Sequence, residues 1–206
     1  MTKLSKFLIA LIAILLVIYV VGIKLLDMPT KIMKKIYPKG YSEYVVKYAD
    51  EYNVDPLLVY AVIKTESNFD DKVVSTSQAK GLMQIMDSTA LEVAENILPN
   101  ENYSSSMLFD AETNIKIGTK YLSELLEKYG NYYLATAAYN AGIGTVDKWI
   151  LDGIIKPDGS DIENIPYKET NNYVRKIVRD YGIYEKLYKW LKPVLGTIPT
   201  LVFAFI

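Results

Sequence analysis

The chain contains no cysteine and no histidine. Without cysteine there is no disulfide and no thiolate metal site. Without histidine the commonest zinc ligand, the imidazole general base and the Ser-His triad are all excluded. The net charge is -1 over 206 residues, which gives no electrostatic footing for nucleic acid. No run alternates polar and apolar residues as a pair of strands would, and there is no repeat or low-complexity tract. Acid-base chemistry near neutral pH therefore falls to carboxyl, lysine or tyrosine groups, with a tuned glutamate the leading option. No cofactor and no resident metal is expected, since carboxylates alone would hold calcium only weakly.

Half of the chain is apolar, enough to build a core, and tyrosine is heavily used, with 18 copies against 5 Phe and 2 Trp. Tyrosine rings stack on sugars or bases while their hydroxyls hydrogen-bond, although most of these residues read as the edge of a core. Residues 1–6 form a short tail, expected to be cytoplasmic, with Lys3 and Lys6. From Phe7 to Leu26 the only charge is Lys24, and a helix over that stretch spans about 30 Å, the thickness of a bilayer core. The run ends in Tyr-Val-Val-Gly-Ile-Lys-Leu-Leu rather than in a small-residue cleavage site, so it reads as an uncleaved single-pass anchor and not a signal peptide. Lys24, Lys31, Lys34, Lys35 and Lys39 follow it, and counting lysines alone places that second flank in the cytoplasm. Residues 27–40, with Pro29, Pro38 and Gly40, read as a juxtamembrane linker, which fully extended would reach at most about 50 Å.

A mainly α-helical domain is expected over 41–192. Tyr44, Val45, Tyr48, Ala49 and Tyr52 recur at helical spacing, and Asn53 breaks the pattern. Asp55-Pro56 is an N-cap and first-turn pair, after which Leu58, Val59, Val62 and Ile63 form an apolar stripe leading to Glu66. Asp70 to Lys80 is a loop, and Asp87 or Ser88 caps a helix over Thr89 to Asn96. Asp110 to Tyr129 is the longest amphipathic helix, stopped by Gly130. Asn131 caps Tyr132 to Tyr139, and a further helix covers Thr145 to Leu151. Asp152 to Pro166 is a surface loop. Two last helices, Glu169 to Tyr181 and Ile183 to Leu191, are expected on either side of Gly182. The apolar tail, 193–206, is too short to span a bilayer and has no assigned role.

Glu66 lies one turn after Val62 and Ile63, so one side of its surroundings is dry. Desolvation disfavours the charged form and raises a carboxyl pKa. Such a group holds a proton near neutral pH and can give it to a leaving oxygen, the acid's role in glycosidic cleavage. On position alone Glu66 also reads as a solvated helix end. Gly81 permits close backbone approach to a ligand, and Gln84 both donates and accepts, as sugar hydroxyl or acetamido groups require. Met83 and Met86 read either as an adaptable pocket lining or as core.

Three blocks stand in order: Glu66-Ser67, Ser75, Gly81-Leu82-Met83-Gln84 and Thr89-Ala90; then Ala138-Tyr139-Asn140-Ala141-Gly142 with Val146; then Pro166, Glu169-Thr170 and Tyr173-Val174. Together they resemble the signature of the soluble-lytic-transglycosylase (SLT) domain of peptidoglycan lytic transglycosylases, over about Tyr41 to Tyr188. The resemblance implies a lysozyme-like helical fold. It implies that Glu66 is the acid and then the base in cleaving the bond between N-acetylmuramic acid and N-acetylglucosamine, closing a 1,6-anhydro ring in place of attack by water. The substrate's own acetamido group would stabilise the intermediate, so no second carboxylate is implied. Ser75, Gly81, Gln84, Met86, Tyr139, Asn140 and Glu169 fall at positions implied to bind the glycan strand, Tyr139 beside the catalytic glutamate.

The chain departs from the family's frequent residues at Gln78 (often Gly), Asp87 (often Pro) and Asn171 (often Arg). Two other readings compete. One is a hydrolytic lysozyme-type muramidase on the same fold, for which Asp70, Asp71 or Asp87 would supply the second carboxylate. The other is a non-catalytic wall-binding scaffold. A wall substrate also requires the domain to lie outside the cytoplasmic membrane, opposite to the side that the lysine count favours.

Overall fold

A computed structural model describes residues 29–97 and 103–189, together with 5, 12 and 14–16 near the start. The chain divides into two compact units, Met1–Pro38 and Lys39–Ile206. In the first, residues 5, 12 and 14–16 are helical, with Ile12, Ile14, Leu15 and Leu16 exposed. The rest of the expected anchor, 7–26, lies outside the described residues, as does the tail, 193–206. Among the described residues no helix is long and apolar enough to cross a membrane. Residues 29–36 are helical, so the linker advances about 1.5 Å per residue there and reaches less far than an extended chain.

The second unit is mainly helical. Among its described residues the helices are α1 (Ser42–Glu51), α2 (Pro56–Glu66), α3 (Asp87–Ile97), α4 (Ala111–Tyr129), α5 (Tyr132–Ala141), α6 (Ile143–Leu151) and α7 (Lys168–Tyr188), with 3-10 turns at Ser105–Phe109 and Ile162–Asn164. Extended pairing among those residues is limited to two isolated bridges, Val74 with Lys80 and Lys80 with Ile85. The expected punctuation is found. Asn53 has φ +54°, the Asp55 side chain caps the Leu57 N–H, and Asp110 caps α4 at the Thr113 N–H. Gly130 closes α4 with φ +68°, and Asn131 caps α5.

Two expectations change. Helix α2 is not amphipathic: every residue from Leu57 to Ile63 is buried, so it is the central helix and its sequence is apolar on all faces. Gly182 does not divide the last helix, and α7 runs unbroken from Lys168 to Tyr188. A helical glycine costs only about 1 kcal/mol, and Ile177 and Tyr184, fully buried on either side of it, hold the helix in register.

Helix α7 packs along α2 and α5, α4 packs against α1, α3 and α5, and α6 folds back on α5. The core between α4, α5, α6 and α7 contains Leu125, Leu134, Ala135, Ala137, Ala138, Val146, Trp149 and Val174, closed by Ile155 and Ile165 from the intervening loop. The alanines of α5 bring its neighbours close. The loop between α2 and α3 buries Leu82, Met83 and Ile85 and is held in addition by polar contacts.

Candidate active site

Glu66 is the last residue of α2, and the C-terminal end of a helix dipole disfavours negative charge. The side chain is half-buried and faces α7, where the Tyr173 hydroxyl donates to its Oε1 at 2.7 Å. Burial pushes the Glu66 carboxyl up from an ordinary 4.5 to about 7, against the opposing effects of the Tyr173 hydrogen bond and the Lys176 charge. Burial, and then the charge of Glu66, raises Tyr173 and Tyr139 well above the ordinary tyrosine value, so both stay protonated donors.

The chain leaves Glu66 through a strained turn. Asn68 and Phe69 have φ of +50° and +69°, a conformation costly for a bulky side chain. Ser67 compensates. Its hydroxyl donates to the Leu82 carbonyl at 2.8 Å and accepts the Phe69 N–H at 3.1 Å. The Glu-Ser pair is thus tied directly to the Gly-Leu-Met-Gln return, which accounts for their fixed spacing.

The return is a tight turn. The Gly81 N–H donates to the Val73 carbonyl, the Gln84 N–H to the Gly81 carbonyl, and Lys80 and Ile85 exchange two backbone hydrogen bonds. Gly81 has φ +72°, and a Cβ there would lie 2.3 Å from the Leu108 carbonyl oxygen and 2.4 Å from the Asn114 amide nitrogen. Its close approach is to the Leu108 carbonyl and to the side chain of Asn114. The Gln84 amide donates to the Val73 and Gly81 carbonyls, so its donors are engaged internally rather than presented to a substrate. Ser75 also serves the loop, accepting the Ala79 N–H on its hydroxyl. Met83 is fully buried against Gly118 of α4, where a Cβ would lie 2.5 Å from its sulfur. Met86 is 40 % exposed.

Tyr139 is half-buried. Its hydroxyl donates to the Met83 carbonyl at 2.9 Å and its ring tilts against Tyr121. Its charge coupling places it near Glu66, but the hydroxyl bonded to Glu66 is that of Tyr173. Asn140 accepts from the Thr170 hydroxyl at 2.8 Å, joining the end of α5 to the start of α7. Glu169, in the first turn of α7, is exposed and makes no hydrogen bond or ion pair among the described residues.

The carboxylates considered for a second role are engaged. Asp70 accepts the Lys72 N–H, and Asp71 pairs with Lys72 at 3.3 Å. Asp87 meets Lys80 at 2.6 Å and accepts from Tyr103, and the Lys80 bond holds it below the usual carboxylate range. Among the described residues no cluster of acidic side chains is arranged to hold a metal. The three departures from the family pattern have local accounts. Gln78 occupies a left-handed position, φ +66°, that suits glycine. Asp87 opens α3, where proline is favoured, and links Lys80 to Tyr103. Asn171 bonds the Ile162 carbonyl and the Arg175 guanidinium.

Sequence reasoning left Tyr173 and Asn114 out of the site. Tyr173 was in view as part of the third block. Asn114 is fully buried, takes the Met83 N–H on its side-chain oxygen, and donates to the Lys80 and Leu108 carbonyls. Its signal was a polar residue one turn before Gly118, on the apolar side of α4.

A central apolar helix ends on a protonatable glutamate inside a mainly helical fold, and both features bear on which family the chain belongs to. Residues 43–154 match the transglycosylase SLT domain. The chain belongs to that family. It is 33% identical over 165 residues to the soluble lytic murein transglycosylase of Escherichia coli, covering 79% of this chain and 25% of that protein. It is 36% identical over 142 residues to the membrane-bound lytic murein transglycosylase C of Edwardsiella ictaluri, covering 63% of this chain and 38% of the relative. Among solved structures, an inactive glutamate-to-glutamine mutant of the lytic transglycosylase Slt from Pseudomonas aeruginosa superposes with a TM-score of 0.66 at 32% identity, over 73% of this chain and 24% of that one. The chain thus spans about a quarter to two fifths of the length of these proteins.

Proposed function

We propose that this chain is a peptidoglycan lytic transglycosylase in which Glu66 acts alone, first as acid and then as base. The observation that carries this reading is a half-buried carboxyl raised to about 7 and bonded to a tyrosine hydroxyl 2.7 Å away. A group with its pKa near the working pH both gives and takes protons efficiently. The Tyr173 hydroxyl occupies Oε1, which leaves Oε2 to hold the transferable proton. That proton goes to the oxygen between N-acetylmuramic acid and N-acetylglucosamine as the glycosidic bond breaks. The resulting carboxylate, stabilised by Tyr173, then takes the proton of the muramic C6 hydroxyl as that oxygen closes the 1,6-anhydro ring. The engagement of Asp70, Asp71 and Asp87 elsewhere supports ring closure over a two-carboxylate hydrolysis. Relatives named as lytic murein transglycosylases support the same choice.

Glu66 does the chemistry and Tyr173 positions it. Ser75, Gly81 and Gln84 shape the loop beside it, while Met86, Tyr139, Asn140 and Glu169 border the glycan cleft. The domain, 41–192, is held by the single apolar segment, 7–26, on the wall side of the membrane, with 27–40 setting its reach. The test is mass analysis of the muropeptides that the full chain releases from purified peptidoglycan. The expected products carry 1,6-anhydro ends, and Glu66→Gln lowers turnover at least about a thousandfold. Products with reducing ends, or full activity in Glu66→Gln, would refute it.

A further inference from the structure

Helix α2 stops at Glu66. In a continuing helix the Phe69 N–H would reach back four residues to the Thr65 carbonyl. The left-handed backbone at Asn68 and Phe69 ends that pattern, and the Phe69 N–H goes to the Ser67 hydroxyl. The Thr65 carbonyl is met from another helix instead: the Lys176 Nζ of α7 donates to it at 3.1 Å. A lysine there satisfies a helix-end carbonyl and opposes the negative end of the α2 dipole at once.

Tyr173 and Lys176 are three residues apart on α7 and so share one side of it. Tyr173 reaches the Glu66 carboxyl and Lys176 the carbonyl of the residue before it, a two-point grip on the last two residues of α2. Val174 and Ile177, also three apart and fully buried, fix the turn of α7 that carries both. Lys64 of α2 donates to the Asn68 side-chain oxygen at 3.1 Å, so a second cation borders the same helix end. The charges of Lys176, Arg179 and the buried Asp180 all act on Lys64, which places this group together.

Among the described residues, three ionisable groups interact with the Glu66 carboxyl: Tyr173 and Lys176 from α7, and Tyr139 from α5. Both tyrosines stay protonated and neutral, so the formal charge acting on Glu66 is that of Lys176. Burial raises the carboxyl, and the Tyr173 bond and the Lys176 charge work against it, leaving a value of about 7.

We propose that Lys176 is a positioning residue for Glu66: it caps α2 at the Thr65 carbonyl and holds a positive charge where the Glu66 carboxylate forms. Its use in catalysis rests on the reading of Glu66 as acid and then base. Once Glu66 has given its proton to the glycosidic oxygen, the new carboxylate lies in dry surroundings at the unfavourable end of a helix dipole. The Lys176 ammonium opposes both effects until that carboxylate takes the C6 proton. Lys176 acts through the Thr65 backbone and through its charge.

The test compares, in the full chain, Lys176→Met, which removes both the cap and the charge, with Lys176→Arg, which keeps the charge and a donor. Turnover of purified peptidoglycan is followed against pH. Glu66 must hold its proton in the free enzyme, so the alkaline limb of kcat/KM follows the Glu66 midpoint. In Lys176→Met that limb is expected to move up by about 0.2 to 0.7 pH unit, the coupling of an exposed cation, while Lys176→Arg holds it at the wild-type position. Arg175→Met removes a neighbouring exposed cation that bonds Asn171 instead, and is expected to leave the limb in place. No shift in Lys176→Met, or an equal shift in Lys176→Arg or Arg175→Met, would overturn the proposal.

Carbon-13 titration of the Glu66 carboxyl in the same variants reads the coupling without turnover. A midpoint that rises in Lys176→Met, in a chain where Glu66→Gln still cleaves, would sink the catalytic reading and leave this inference standing. An unmoved midpoint with Glu66→Gln inactive would sink this inference alone.

Discussion

The loop from Ser67 to Met86 and the core between α4 and α7 are held in different proportions by burial and by polar contacts. The core buries Leu125, Leu134, Val146 and Val174 completely or nearly so, in regular helices with ordinary caps. The loop holds four non-glycine residues at positive φ, Asn68, Phe69, Gln78 and Gln84. Beside the buried Leu82, Met83 and Ile85, side chains reaching backbone hold it: Ser67 to Leu82, Ser75 to Ala79, Gln84 to Val73 and Gly81, and Asn114 to Lys80, Met83 and Leu108. Strain of this kind persists only where the surroundings over-determine it, and it gathers at functional sites. The core supplies the stability that permits a loop shaped around Glu66.

The largest expected effect falls where loop and core meet. Gly81→Ala combines φ +72° with a Cβ 2.3 Å from the Leu108 carbonyl oxygen, and it forces apart the turn that Asn114 holds. Urea denaturation should show a loss of more than about 3 kcal/mol and a broken site. A loss under about 1 kcal/mol would mean that the return is not rigid. In the core, Leu134→Ala should cost about 2–4 kcal/mol through a cavity while leaving the Glu66 environment intact. If instead the pH dependence of turnover shifted with it, the two regions would not be separable.

The site itself should weaken the fold. Glu66 has a folded pKa of about 7 against an ordinary 4.5. Between those values the folded protein keeps a proton that the unfolded chain has lost, so stability falls as pH rises through that window. Glu66→Gln removes the effect. It should match the wild type below pH 4.5 and exceed it by about 2 kcal/mol at pH 8 in urea denaturation, after discounting for the partial exposure of the side chain. Equal stability at both pH values would show that the carboxyl is not perturbed.

The smallest effect is Gln78→Gly, which relaxes a left-handed residue at φ +66° and should be neutral to about 1 kcal/mol stabilising by thermal melt. A clear destabilisation would mean that the Gln78 side chain holds the loop.

The core was legible in the sequence because its forces are periodic. Asp55-Pro56, Asp110, Gly130 and Asn131 marked helix ends that the structure keeps. Gly182 misled because local propensity is weak beside burial at Ile177 and Tyr184. The loop was legible only as a motif. Nothing periodic says that Ser67 bonds Leu82 or that Gly81 faces Asn114, since each contact joins residues distant in sequence. Met83 reads as either pocket or core in the sequence, and only the approach of Gly118 on α4, distant in sequence, makes it core. Tyr173 escaped for the same reason, lying 107 residues from the carboxylate that it bonds.

Titration of the Glu66 side-chain carboxyl by carbon-13 NMR, with Glu66→Gln to assign its resonance, tests the central claim most directly. The account predicts a midpoint near 7, set by burial at the end of α2. A midpoint near 4.5 would describe a solvated helix end and contradict it.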